Sequence, residues 1–237
     1  MLEIINLTKT YKNGKKAVDN LSLTIKAGEI YGFIGHNGAG KTTTMKCVTG
    51  ILQFESGTIR VKGKSVTEEP IESKRCIAYI PDSPDLYLNM TGIKYLKFIA
   101  DVCGLDREKR ESGIGKYAGI LDLTKNLGDL VSSYSHGMKQ KLALISAFMR
   151  EPDILMLDEP FVGLDPKAAF TLKEQLRAIC ERGGAVFFST HILEVAEKLC
   201  DKVAIIKNGR LAVSGETGKV TGDKSLENLF MELTVNE

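Results

Sequence analysis

The 237-residue sequence has little of what would decide a class outright. No apolar run approaches the roughly 18 residues that a membrane-spanning helix needs. The longest is "LALISAFM", Leu142 to Met149. The start, "MLEIINLTKTYK", lacks the basic-then-apolar order of a signal peptide. Cys47, Cys76, Cys103, Cys180 and Cys200 form no C-x-x-C pair, which argues against a zinc site and a disulfide framework and fits a reducing compartment. Charge of either sign is scarcely in excess: the net +2 is too small to suggest nucleic acid as the main partner. Internal repeats, low-complexity tracts and evident linkers are missing too. These absences predict a soluble cytoplasmic protein that meets a membrane only through a partner.

What is present is an ordinary globular balance, 43% hydrophobic and 26% charged, enough to bury a core. The length suits one large domain or two small ones. "LEIINLTKTYK" and "AVDNLSLTIK" alternate apolar and polar residues around a Lys12-Asn13-Gly14 turn and predict strands. "EIYGFIG", "GTIRVKG" and "CIAYIP" predict three more. In "TGIKYLKFIADVCG", Ile93, Leu96, Ala100 and Cys103 recur at helical spacing. A glycine-containing helix follows, with Asp106 to Glu111 as a solvated charge run. Another helix is expected from His136 to about Arg150, with Ser135 as N-cap and Lys139 and Lys141 facing water. The last third alternates strand and helix: "DILMLDEP", "PKAAFTLKEQLRAICERGG", "AVFFSTH" and "ILEVAEKLC". A hairpin at Asn208-Gly209 and a helix in "SLENLFMEL" complete it. Strand–helix alternation around buried strands predicts an α/β protein with a parallel sheet.

Chemistry gathers at a few of these junctions. "GHNGAGKTT", Gly35 to Thr43, fits G-x-x-x-x-G-K-[ST] between a buried strand and a helix. Gly38, Ala39 and Gly40 let backbone N–H groups turn around phosphate oxygens, and the helix N-terminus adds partial positive charge. Lys41 is placed to reach the β- and γ-phosphates and Thr42 to ligate Mg²⁺. A ligand-free glycine turn is the bland alternative, and the strand–loop–helix context disfavours it. In "ILMLDEP", Asp158 stands at a strand's carboxyl end, where parallel sheets put their chemistry, and can hold Mg²⁺. Its neighbour Glu159 can orient or deprotonate an attacking water. His191 ends "AVFFSTH" at another carboxyl end, which favours a γ-phosphate contact over a purely structural histidine.

Taken together these motifs resemble those of the ATP-binding subunit of a bacterial ABC transporter, along nearly the whole chain. The resemblance implies an RecA-like P-loop core with a mainly parallel sheet, an antiparallel β-subdomain and an α-helical subdomain over residues 84–150, within one domain spanning 1–237. It implies ATP and Mg²⁺. Tyr11 would stack on adenine. Gly35, His36, Asn37, Gly38, Ala39, Gly40, Lys41, Thr42 and Thr43 would cradle the phosphates. Ser135 and Gly137, in the signature "YSHGM", and Asp165, in the D-loop "GLD", would also meet nucleotide. Thr42, Asp158 and Asp82 would serve the metal, and Glu159, His191, Lys41 and Ser135 would serve catalysis. The family's site is composite: two subunits pack head to tail, and each signature helix points at the γ-phosphate bound by the other, as a homodimer or a heterodimer. The remaining partner would be an integral-membrane permease, a separate chain as in export-type systems, with the subunit on the membrane's cytoplasmic face and no nucleic acid bound.

Three positions depart from the family pattern. His136 replaces the first signature glycine, Met138 replaces the signature glutamine, and Asp82 stands where a loop glutamine is usual. Asp82 either accepts from Mg²⁺-bound water or is a turn residue between Pro81 and Pro84. Two other classes share the phosphate loop. ATPases of the same family that act on ribosomes or DNA usually carry two cassettes or a long coiled coil. A P-loop GTPase wants an Asn-Lys-x-Asp motif, and a kinase leaves "STH" and "YSHGM" unexplained. This sequence shows neither a second cassette nor a long coiled coil, and no Asn-Lys-x-Asp, so the transporter subunit leads and the soluble ATPase of the same family stands as the alternative.

Overall fold

Short runs that are apolar on every residue must be covered on both faces, and here they are. The computed structural model describes residues 1–235, so the last two residues of the expected 1–237 domain lie outside the described residues. The strands are β1 (Leu2–Thr10), β2 (Lys16–Ile25), β3 (Ile30–Ile34), β4 (Ser56–Val61), β5 (Lys64–Ser65), β6 (Ile77–Ile80), β7 (Ile154–Asp158), β8 (Ala185–Thr190), β9 (Lys202–Lys207) and β10 (Arg210–Glu216). The helices are α1 (Lys41–Val48), α2 (Pro70–Arg75), α3 (Gly92–Val102), α4 (Arg107–Ile120), α5 (His136–Phe148), α6 (Pro166–Glu181), α7 (Leu193–Leu199), α8 (Thr217–Thr221) and α9 (Leu226–Val235).

One six-stranded sheet has the order β10-β9-β3-β8-β7-β6. All its pairs are parallel except β9–β10, joined by a two-residue turn in which Asn208 (φ 51°) and Gly209 (φ 80°) both take the left-handed conformation such turns need. Side chains alternate between two apolar clusters. Ile34, Leu155, Leu157, Val186 and Phe188 face one side of the sheet. Phe33, Met156, Ala185 and Phe187 face the other, with α1 residues Met45, Cys47 and Val48 and the inward residues of β1, β2 and β4. Phe33, Phe187 and Phe188 are fully buried. Each such side chain contributes about 1.5–3 kcal/mol of apolar burial. The second sheet, β2-β1-β4-β5, is antiparallel. The expected α/β class, with a parallel core, an antiparallel sheet and added helices, is the class observed.

Register then decides where chemistry can occur. Ile34 pairs with Thr190, Asp158 with Ser189, and Ile80 with Leu157. The carboxyl ends of β3, β6, β7 and β8 therefore finish along one edge. Gly35, Pro81–Asp82, Asp158–Glu159 and His191 all follow those ends.

Several local expectations are corrected. Cys103 leaves the apolar stripe: it caps the C-terminus of α3 and is exposed, while Leu96 and Ala100 are buried. The helix expected to reach Arg150 ends at Phe148, with Met149 as its cap. The charge run is solvated except Arg110, which folds back to donate to Asp101 at 2.6 Å. Helices α2 and α8 are too short for their sequences to show an apolar period. Among the described residues, no helix is long and apolar enough to cross a membrane.

Candidate functional site

The edge opens into a cleft of about 210 Å³ lined by Tyr11, Lys15, Ala17, His36, Asn37, Gly38, Gly40, Lys41, Thr42, Thr43, Asp82, Asp158 and Glu159. Its floor is the loop between β3 and α1. Gly40 sits at φ 114°, and a Cβ there would fall 2.4 Å from the Ala17 carbonyl oxygen, so only glycine passes. No side chain caps the first N–H groups of α1, and its first turn carries no acid. Those donors and the helix dipole suit an anion. Lys41 is 6% exposed. Its Nζ donates to the Gly35 carbonyl at 2.6 Å and the His36 carbonyl at 3.3 Å, and lies 3.4 Å from Glu159 Oε1. Tyr11 is half-exposed at the rim, its hydroxyl 3.1 Å from Thr43 Oγ1.

The two carboxylates after β7 differ in surroundings. Asp158 is buried, accepting from Thr42 Oγ1 at 2.6 Å on one oxygen and from Ser189 Oγ on the other. Glu159 takes φ 50°, a conformation that costs a non-glycine residue about 1–2 kcal/mol. The surroundings hold it there. Its N–H donates to Ser189 Oγ at 3.0 Å and to the Ser189 carbonyl at 3.2 Å. Its Oε2 accepts from the His191 N–H at 3.3 Å and faces His191 Nδ1 at 2.9 Å. The carboxylate thus stands between a lysine and a histidine at the mouth of the cleft, 11% exposed. Strain retained by several contacts at once is typical of functional positions.

Ser135, Gly137 and Asp165 are not in this cleft. Ser135 is the expected N-cap of α5, its Oγ accepting from Met138 N at 3.3 Å. The helix start leans instead on the segment 160–165 of the same chain. The His136 ring covers Gly163, where a Cβ would come within 2.7 Å of it, and a Cβ on Gly137 would lie 3.2 Å from the Gly163 carbonyl oxygen. Asp165 caps α6 by accepting from Ala168 N at 2.8 Å and pairs with Lys141 Nζ at 3.2 Å. The Ala168 N–H and then Lys141 hold its carboxyl below the ordinary range. Lys141, expected to face water, is drawn inward by this pair and is only 16% exposed.

A family profile described as "ABC transporter" matches residues 18–162, more than half of the chain. The chain belongs to the ABC transporter family. Within it, the chain is an ATP-binding subunit and an ATPase. It is similar to an uncharacterized ABC transporter ATP-binding protein, YhcH, of Bacillus subtilis (strain 168), 38% identical over 89% of this chain and 68% of the other. It is also similar to the ABC-type transporter ATP-binding protein EcsA of the same strain, 34% identical over 99% and 96%. A solved structure, an ATP binding subunit of an ABC transporter, superposes with a TM-score of 0.94 at 33% identity, covering 99% of both chains.

The cleft of this ABC subunit offers hard oxygen donors. Thr42 and Asp158 are in direct contact and Asp82 lines the same space. Among the described residues, no cluster of His, Cys, Asp or Glu could cage a metal alone. The Thr42 hydroxyl and the Asp158 carboxylate are donors of the kind that suit Mg²⁺, which is usually held by one or two protein groups with substrate phosphates. Three site residues escaped the sequence reading. Ser189 bonds both acids, yet in sequence it is only a serine near a strand end. Lys15 lines the cleft from the turn before β2. Tyr79 buries a hydroxyl without a protein partner. Burial, with Asp158 and Asp82 nearby, pushes that phenol well above its ordinary range, so it stays protonated.

Proposed function

We propose that this ABC subunit is the ATP-hydrolysing motor of an export-type transporter whose integral-membrane permease is a separate chain. It works on the cytoplasmic face of the membrane, held there by the permease, and closes head to tail with a second ATP-binding subunit, a copy of itself or a relative. The whole chain acts as one domain with residues 84–150 as its helical subdomain, which the mutual packing of α3, α4 and α5 supports.

The carrying observation is Glu159, a nearly buried carboxylate held beside Lys41 and His191 at the cleft. In the proposed cycle Tyr11 stacks on the base and the loop Gly35–Thr43 binds the phosphates. Lys41 exchanges its carbonyl contacts for phosphate oxygens. Thr42 and Asp158, with Asp82 near, would hold Mg²⁺, which neutralises phosphate charge when bound. Glu159 takes a proton from the attacking water and His191 meets the γ-phosphate. Ser135 and Gly137, outside their own cleft, serve the partner's nucleotide, a helix N-terminus meeting an anion across an interface. Asp165, likewise outside, reaches that interface through the D-loop.

Permease contact falls on the Asp82 loop and the start of the helix that follows, Asp82 to Tyr95. Tyr87 is 54% and Leu88 47% exposed, and Tyr87 meets Phe98 edge-on at 5.4 Å. Exposed apolar groups on a loop are candidate contacts. The small net charge gives no reason to invoke nucleic acid.

Glu159→Gln tests the reading. ATP binding should persist, hydrolysis should fall by about 10²–10⁴-fold, and an ATP-bound dimer should accumulate on size exclusion. Rapid turnover by this variant would give the proton to another group and overturn the proposal.

A further inference from the structure

Gln140 lies between Lys139 and Lys141 in α5, yet it is only 3% exposed. Its Nε2 donates to the Pro160 carbonyl at 2.8 Å. Proline offers that carbonyl and no N–H, so the amide can face it in one sense only. The other end, Oε1, is thereby turned into the interior without a protein hydrogen-bond partner. An acceptor left so is costly, and its persistence calls for an explanation other than stability.

The carbonyl it holds belongs to the residue directly after Glu159, whose φ of 50° is the strained point of the site. On one side Ser189 fixes the Glu159 N–H. On the other, Pro160 is fixed by Gln140. Two further contacts tie the same segment to the same helix: His136 over Gly163, and Lys141 with Asp165. Helix α5 therefore clamps the chain leaving Glu159 at three points, and Gln140 is the clamp nearest the carboxylate.

We propose that Gln140 is a positioning residue for Glu159, holding the Pro160 carbonyl so that the carboxylate points at the attacking water; this rests on Glu159 being the base. Gln140 does not line the cleft. Its effect runs through the Pro160–Phe161 peptide, which fixes the course of the chain leaving Glu159, and a base displaced by about 1 Å can lose a hundredfold in rate.

The test is Gln140→Met in the full-length chain, with Gln140→Glu beside it. Methionine keeps the volume and removes both the donor and the orphaned acceptor. The Pro160 carbonyl loses a partner while an unsatisfied oxygen disappears, so the two effects on stability oppose each other. The expected result is a melting temperature within about 4 °C of wild type, an unchanged KM for ATP, and a kcat lower by about tenfold to a hundredfold. Gln140→Glu sets a carboxylate against the carbonyl and should lose more. In the Glu159→Gln background, Gln140→Met should cost nothing further, because its route to the chemistry is gone. Wild-type kcat in Gln140→Met, with Glu159→Gln inactive, overturns the proposal alone. So does a full further loss in the double variant. Turnover by Glu159→Gln overturns the base assignment and this proposal with it.

Discussion

Ser189→Ala isolates one atom. The Ser189 hydroxyl donates to Asp158 and accepts from the Glu159 N–H, and the residue is fully buried. Removing it deletes a hydrogen bond to a carboxylate, a class worth about 1.5–3 kcal/mol. The second loss is smaller, because the Glu159 N–H still has the Ser189 carbonyl at 3.2 Å. Asp158 likewise keeps Thr42 on its other oxygen. Alanine leaves no cavity beyond the hydroxyl itself. A destabilisation of about 2 kcal/mol follows. In a chain of this size that lowers the melting temperature by about 4–8 °C, at about 2–4 °C per kcal/mol. The assay is thermal unfolding of Ser189→Ala, Asp158→Ala and the double variant without nucleotide. The single losses should overlap in the double variant by at least about 0.5 kcal/mol, since both remove the same bond. Strict additivity, or a Ser189→Ala melting temperature equal to wild type, would refute the claim that this hydroxyl anchors the acidic pair. ATPase activity in Ser189→Ala should also drop, since Asp158 and the Glu159 backbone both lose a restraint.

Other substitutions probe the remaining parts. Ser135→Arg should bind ATP as wild type does, because Ser135 is outside its own cleft, yet fail to form the ATP-bound dimer on size exclusion; full ATPase activity there would reduce Ser135 to a helix cap. Tyr11→Ala should raise the KM for ATP by an amount equivalent to about 1–3 kcal/mol of lost stacking, with little change in kcat; an unchanged KM would rule out adenine stacking at that residue. Tyr87→Ala should leave the subunit's own ATPase intact while weakening co-purification with its permease, and equal capture of both forms would move the docking surface elsewhere.

Much of the architecture was legible because it is encoded over short spans. The loop Gly35–Thr43 identifies itself by spacing, and its strand and helix follow from apolar runs on either side. The Asn208-Gly209 hairpin is legible for the same reason: two adjacent residues tolerate the conformation its turn demands. Cys103 misled because helical periodicity does not say where a helix stops. Lys141 misled because a lysine at a helix start ordinarily faces water, and nothing nearby in sequence announces Asp165.

By itself, then, the sequence determined the local signals: which segments are strand or helix, which loop can wrap phosphate, and which acids and histidine end strands. Only the tertiary structure decided how these groups meet. Thr42 and Asp158 are 116 positions apart, Ser189 and Asp158 are 31 apart, and Gln140 reaches Pro160 across 20. The left-handed Glu159 contradicts its own backbone preference. Propensity and periodicity act within a few residues, whereas strand register and side-chain packing act between segments distant in the chain. A conformation held against local preference persists only where such long-range contacts together outweigh its cost.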